Sequence, residues 1–189
     1  MEALQEFVEA MGSHTIEEIE TMPEGVRAEL INGCVYMMGS PTPAHQQLIG
    51  LLYYTILNHI KSNGGTCTPF VAPCAVFLDS KKTKKQWVEP DVFVICNKDK
   101  IHSDGIYGAP DWIIEVTSPS TIRNDFTKKV TLYQDYGVKE YWIVNPAGRY
   151  VSVFTYFPDF QFTQYSFDSR IIPSLYPDLI ININDLLSI

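Results

Sequence analysis

The stretch Asp111-Trp112-Ile113-Ile114-Glu115-Val116-Thr117 is an apolar run interrupted by one acid. Its central five residues have the length and hydrophobicity of a strand buried on both faces. A carboxylate in such a strand is costly to ionise without a partner. A second stretch, Glu89-Pro90-Asp91-Val92-Phe93-Val94-Ile95, repeats the arrangement with Asp91 near its head. Strand alternation puts Asp111, Ile113, Glu115 and Thr117 on one face, and Glu89, Asp91 and Phe93 on one face of the earlier strand. If the two strands are neighbours in register, Asp91 and Glu115 converge and call for a shared cation. Oxygen ligands of this kind select a hard ion, Mg²⁺ before Zn²⁺.

The segment after Glu115 supplies a third group. A helical pattern runs from about Ser120 to Tyr136 and is stopped by Gly137. At roughly 100° per residue, Phe126, Val130, Leu132, Tyr133 and Tyr136 form an apolar face, with Lys129 within about 30° of its centre and Lys128 more than about 100° away. A lysine aimed at a core needs an acid, and Asp91 and Glu115 are the candidates. A structural cluster of buried ion pairs would use the same residues, so the trio is either a cation-and-lysine site or such a network.

Working outward, Glu2 to Met11 has a helical pattern, and Thr15-Ile16-Glu17-Glu18 has the form of a capping box opening a short helix. Asn32-Gly33 between Arg27–Ile31 and Cys34–Met38 predicts a hairpin. Glu29 on its first strand is either an exposed glutamate or a further acid for the site. Pro43 to about Ser62 predicts a long amphipathic helix ended by Gly64-Gly65. Runs from Cys67 to Leu78 and from Trp87 to Cys96 predict an antiparallel pair joined by Lys81-Lys82-Thr83-Lys84-Lys85. Asn97 to Pro110 reads as polar connection, Glu140 to Val144 as a strand, and Arg149 to Ile189 as further strands with a turn of helix near Asp185. Tyr150, Phe154, Tyr156, Phe157, Phe160, Phe162, Tyr165 and Phe167 in that last part read as core more readily than interface. The expected class is α/β (α+β), a mixed sheet flanked by helices, with an N-terminal helix and β-hairpin extension.

The 189 residues fit one domain over 1–189, with a core at about 43–145. A net charge of −8 argues against a broad basic face for nucleic acid. The lysine turn is the local exception, either a solvated tip or a clamp on a phosphate backbone. Cys34, Cys67, Cys74 and Cys96 lack any Cys-x-x-Cys pair and read as small buried hydrophobes rather than ligands or disulfides. His14, His45, His59 and His102 form no zinc spacing, and His45 reads as a polar residue near a helix start more readily than as a catalytic group. No apolar run is long enough to span a bilayer and the first residues are acidic, so the expected setting is cytoplasmic, away from membranes.

Glu89-Pro90-Asp91, then Ala109-Pro110-Asp111-Trp112-Ile113-Ile114-Glu115-Val116-Thr117-Ser118-Pro119-Ser120-Thr121, Asp125-x-x-x-Lys129 and Tyr133-x-x-x-Gly137-Val138-x-Glu140-Tyr141-Trp142-Ile143-Val144 together resemble the Uma-two family. That family is assigned to the endonucleases, within the PD-(D/E)XK restriction-endonuclease-like superfamily. Glu29-Leu30-Ile31-Asn32-Gly33 and the His45 segment extend the resemblance over nearly the whole chain. It implies a restriction-endonuclease-like core and a metal-dependent phosphodiesterase site, with Asp91 and Glu115 as the two motif acids. The superfamily lysine normally stands two residues after the second acid, where this chain has Thr117. The lysine of this branch maps onto Lys129 instead.

The resulting expectation is hydrolysis of nucleic acid, DNA before RNA, with Asp91, Glu115 and Lys129 as catalytic residues. Mg²⁺, with Mn²⁺ as a substitute, would be held by Asp91, Glu115, the Val116 carbonyl and Glu29. Lys81, Lys82, Lys84 and Lys85 would contact phosphates, and a homodimer would provide enough surface for duplex DNA. The alternative is a catalytically silent nucleic-acid-binding or regulatory module on the same fold.

Overall fold

The computed structural model describes residues 14–23, 25–79 and 86–188. The helix expected over Glu2–Met11 and the turn Lys81–Lys85 lie outside them.

The capping box forms as the sequence predicts, with Thr15 at the start of helix α1 (Ile16–Glu20). The hairpin pairs β1 (Ala28–Ile31) with β2 (Cys34–Met37), and its turn residues Asn32 and Gly33 take φ of 53° and 74°. Positive φ at both centres is what Asn-Gly tolerates and most pairs do not. Helix α2 (Pro43–Ser62) is capped by the Thr42 side chain, which accepts from the His45 amide, and buries Leu48, Ile49, Leu52, Ile56 and Ile60.

The two central β-rich runs do form antiparallel pairs, but each run is shared between two sheets. From the first come β3 (Thr68–Val71) and β4 (Val76–Phe77), and from the second β5 (Trp87–Val88) and β6 (Val92–Ile95). β4 pairs with β5, and β3 with β6. Pro90, with no N–H to donate, falls where the chain leaves one sheet for the other. The connection 97–110 is not wholly irregular, because β7 (Ile106–Tyr107) pairs parallel with β4.

The main sheet continues through β8 (Trp112–Val116), β9 (Glu140–Asn145), β10 (Tyr150–Thr155) and β11 (Gln161–Ser166). Its order is β11-β10-β9-β8-β6-β3, and that of the smaller sheet is β2-β1-β5-β4-β7. β8 is antiparallel to β6 and parallel to β9. Between β8 and β9 runs a continuous helical segment: α3 (Ile122–Asn124), a π-helical turn (Asp125–Lys129) and α4 (Val130–Asp135). Helix α5 (Ile183–Leu187) lies near the C-terminus.

Strand alternation then divides the core. Val92, Val94, Trp112, Ile114, Trp142 and Val144 join the cluster containing the apolar stripe of α2 and the C-terminal residues Phe167, Ile171, Leu179, Ile181 and Ile183. Phe93, Ile95, Ile113, Tyr141 and Ile143 join Leu132 and Tyr133 of α4, with Ile31, Val76 and Val88 of the smaller sheet. The main sheet is thus covered on both faces, and the two sheets meet beside the lysine-bearing segment.

Two expectations need correction. Cys67 and Cys96 form a disulfide with Cα atoms 4.0 Å apart. The β3–β6 register pairs Thr68 with Ile95, so the next step outward brings the two cysteines opposite each other, which their separation by 29 positions conceals. Cys34 and Cys74 are free and half-buried. The core assignment of the C-terminal aromatics holds for Phe154 and Phe167, but Phe157, Phe160 and Phe162 are more than half exposed. β11 is the sheet's edge strand, and almost all of it faces solvent.

Candidate active site

The β6–β8 register pairs Val92 with Ile114, so one step outward Asp91 lies against Glu115. The Asp91 amide donates to Glu115 Oε2 at 3.3 Å, and the Val116 amide donates to Asp91 Oδ2 at 2.8 Å. The sequence-predicted acids are therefore neighbours, tied through each other's backbone.

Lys129 enters from the other side. Its ammonium lies 2.8 Å from Glu115 Oε1 and 2.9 Å from Glu29 Oε1, and Tyr133 Oη donates to the same Glu115 oxygen at 3.0 Å. Glu29 is buried, and it also accepts from the Glu89 amide. It is an acid of this cluster and not an exposed hairpin residue. Glu89 turns instead to Arg27, whose Nη2 lies 2.6 Å from its carboxylate.

Two groups join that the sequence pattern did not place here. Asp125, four residues before Lys129 and 2% exposed, has Oδ1 3.8 Å from the ammonium, while Oδ2 has no hydrogen-bond partner among the described residues. The spacing Asp125-x-x-x-Lys129 was the available signal, since residues four apart share a helix face. His45 is the second: its Nε2 lies 2.7 Å from the Val116 carbonyl and 3.3 Å from Asp91 Oδ2. A carbonyl only accepts, so Nε2 carries the proton. Nothing local in the sequence links His45 to a residue 71 positions away.

The electrostatics follow from this crowding. Burial raises the Glu115 carboxyl well above its ordinary range, Lys129 opposes that, and Asp91, Asp125 and Glu29 add to the rise. Burial alone would lower Lys129, but Glu115, Glu29 and Asp125 more than reverse it and hold it charged. Asp125 is pushed up to about 6, again chiefly by burial. His45 is raised, first by its hydrogen bond to Asp91. Four carboxylates face one ammonium and one imidazole, so the cluster is short of positive charge.

Among the described residues, no three His, Cys, Asp or Glu side chains are grouped so as to hold a metal ion by themselves. Asp91 Oδ2 and the Val116 carbonyl nevertheless share one N–H donor and so face a common point, with the Glu115 carboxylate adjoining. Two carboxylates and a carbonyl, completed by water, suit a hard divalent cation, because Mg²⁺ usually keeps several waters and takes only one or two protein carboxylates. The donor set fits.

A mixed sheet covered on both faces, with paired acids at the register step beside β6 and β8 and a lysine from the following helix, defines a restriction-endonuclease-like α+β protein. The chain belongs to the Uma2 family, described as "Putative restriction endonuclease", whose model matches residues 16–184. Among solved structures it is similar to a protein of Anabaena variabilis described as a "putative nuclease belonging to DUF820". The two share 22% identity with a TM-score of 0.73 over 92% of this chain and 97% of that one. At that identity the likeness concerns the fold. A comparison with curated proteins gives no match. No helix among the described residues is long and apolar enough to cross a membrane.

Proposed function

We propose that this protein hydrolyses phosphodiester bonds in nucleic acid, DNA first, with Asp91, Glu115 and Lys129 as its catalytic residues. The observation that carries the reading is the meeting at Glu115 of a buried lysine on one oxygen and the Asp91 amide beside the other. Family membership supports the nuclease class.

Asp91, Glu115 and the Val116 carbonyl would hold Mg²⁺, or Mn²⁺ in its place, while Glu29, engaged by the Lys129 ammonium and the Glu89 amide, would act through that lysine and not as a third carboxylate ligand. A cation there would act as a Lewis acid on a nonbridging phosphate oxygen. The chain's own groups do the rest. Lys129, charged and fixed by two carboxylates, donates hydrogen bonds that orient the attacking water and offset charge developing on the phosphorus oxygens. A lysine held so firmly in its protonated form is a poor base, so orientation is its role. Glu29 and Tyr133 keep the Lys129–Glu115 pair in place. Lys81, Lys82, Lys84 and Lys85 supply sequence-blind phosphate contacts, and a homodimer widens an otherwise acidic surface.

The test is incubation of wild type, Asp91→Ala and Lys129→Ala with labelled single- and double-stranded DNA and RNA in Mg²⁺ or Mn²⁺. Cleavage of DNA by wild type, reduced about 10²–10³-fold in each variant, is expected. Equal degradation by all three proteins contradicts the reading.

A further inference from the structure

We infer that His45 is a displaceable stand-in for the cation: its Nε2–H occupies the point between Asp91 and the Val116 carbonyl, and the ring must leave when a divalent ion binds. The inference rests on the proposed site and concerns a residue that the sequence pattern did not assign to it.

Three observations carry it. First, Nε2 touches the Val116 carbonyl at 2.7 Å and Asp91 Oδ2 at 3.3 Å, two of the oxygens proposed to hold the ion. A donor N–H and a cation compete for the same lone pairs, so the two states exclude each other. Second, the ring is not built as a ligand. A histidine that binds metal normally gives its other ring N–H to a carbonyl or carboxylate, which fixes the tautomer. His45 Nδ1 is buried with no hydrogen-bond partner among the described residues, so the ring is held through Nε2. Third, its backbone is anchored independently of the ring. The His45 amide is bonded to the Thr42 hydroxyl at the start of α2, and the side chain keeps 17% exposure through which to swing out. In the absence of cation, the bond from Nε2 also keeps the two oxygens aimed at one point and offsets part of their repulsion.

Calorimetric titration of the full chain with Mg²⁺ and with Mn²⁺ tests this in wild type, His45→Ala and His45→Gln. Without a donor to displace, His45→Ala should bind both ions about tenfold tighter, a factor set by the worth of a hydrogen bond to a charged group. His45→Gln keeps an N–H of similar reach and should stay near wild type. Independently of any variant, ring-nitrogen NMR of the wild-type protein should show Nε2–H losing its carbonyl partner as Mg²⁺ is added. Weaker binding by His45→Ala would make the ring a ligand and overturn the inference, and so would equal binding or an undisturbed ring signal at saturating Mg²⁺. Should no protein bind at millimolar ion, His45→Ala included, the site itself fails and the inference with it. If wild type binds and only the expected tightening is missing, the site stands and the role of His45 falls.

Discussion

As proposed, Lys129 does two jobs with one charge. It aims hydrogen bonds into the site, and it neutralises carboxylates that burial would otherwise make untenable. Lys129→Ala should therefore destabilise the fold by about 3–5 kcal/mol in denaturant unfolding without divalent ion, because it leaves Glu29 and Glu115 buried without their cation. An unchanged midpoint would mean that the pair is not buried as described. Asp125 gives a pH signature. Its pKa rises from 3.8 to about 6 on folding, so between those values the native state binds more protons than the unfolded state. Stability then falls as pH rises through that window. Asp125→Asn lacks the effect, and in chelator its stability relative to wild type should climb from pH 4 to 7; a flat difference would refute the assignment. Lys129 was legible because helical angles aim it at the core. Asp125 was visible only as a spacing, and His45 only as part of a segment resembling the family, since its contact depends on how α2 docks on β8.

At the scale of elements, long periodic segments were readable and short ones were not. α2 and β9 follow their patterns almost to the residue. β4, β5 and β7 have two residues each, too few to leave a period, so the smaller sheet could not be foreseen. Nor does the sequence reveal the π-turn at Asp125–Lys129, although such turns often occur at functional sites. The π-turn still buries Lys129 and exposes Lys128, as a regular helix would. The disulfide is a register effect, invisible without knowing that β3 and β6 pair. Closing 29 positions, it should contribute about 3.5 kcal/mol by limiting the unfolded chain. Mild reduction should lower the melting temperature accordingly, whereas Cys34→Ser and Cys74→Ser combined should leave that reduction-dependent difference intact. A melting temperature indifferent to reductant would count against the cross-link.

For the molecule as a whole, the balance of charge is the main puzzle for a nuclease. With −8 overall, binding to a polyanion has to depend on local basic groups. Replacing Lys81, Lys82, Lys84 and Lys85 with serine should weaken DNA binding regardless of sequence. It should also flatten the salt dependence by about one unit of log–log slope for each phosphate no longer neutralised. An unaltered slope would remove those lysines from the interface. The mixed sheet and its covering helix were legible from element order and hydrophobic pattern, while the division into two sheets came from prolines and short strands whose effect is only felt in three dimensions. Catalysis, as proposed, finally depends on a cation between Asp91, Glu115 and the Val116 carbonyl. Anomalous diffraction from crystals soaked in Mn²⁺ reads that position out. A peak is expected within ligand distance of Asp91 and Glu115, with Lys129 beside it, and no such peak in Asp91→Ala. Full Mn²⁺ occupancy elsewhere, with that position empty, would rule out the proposed site.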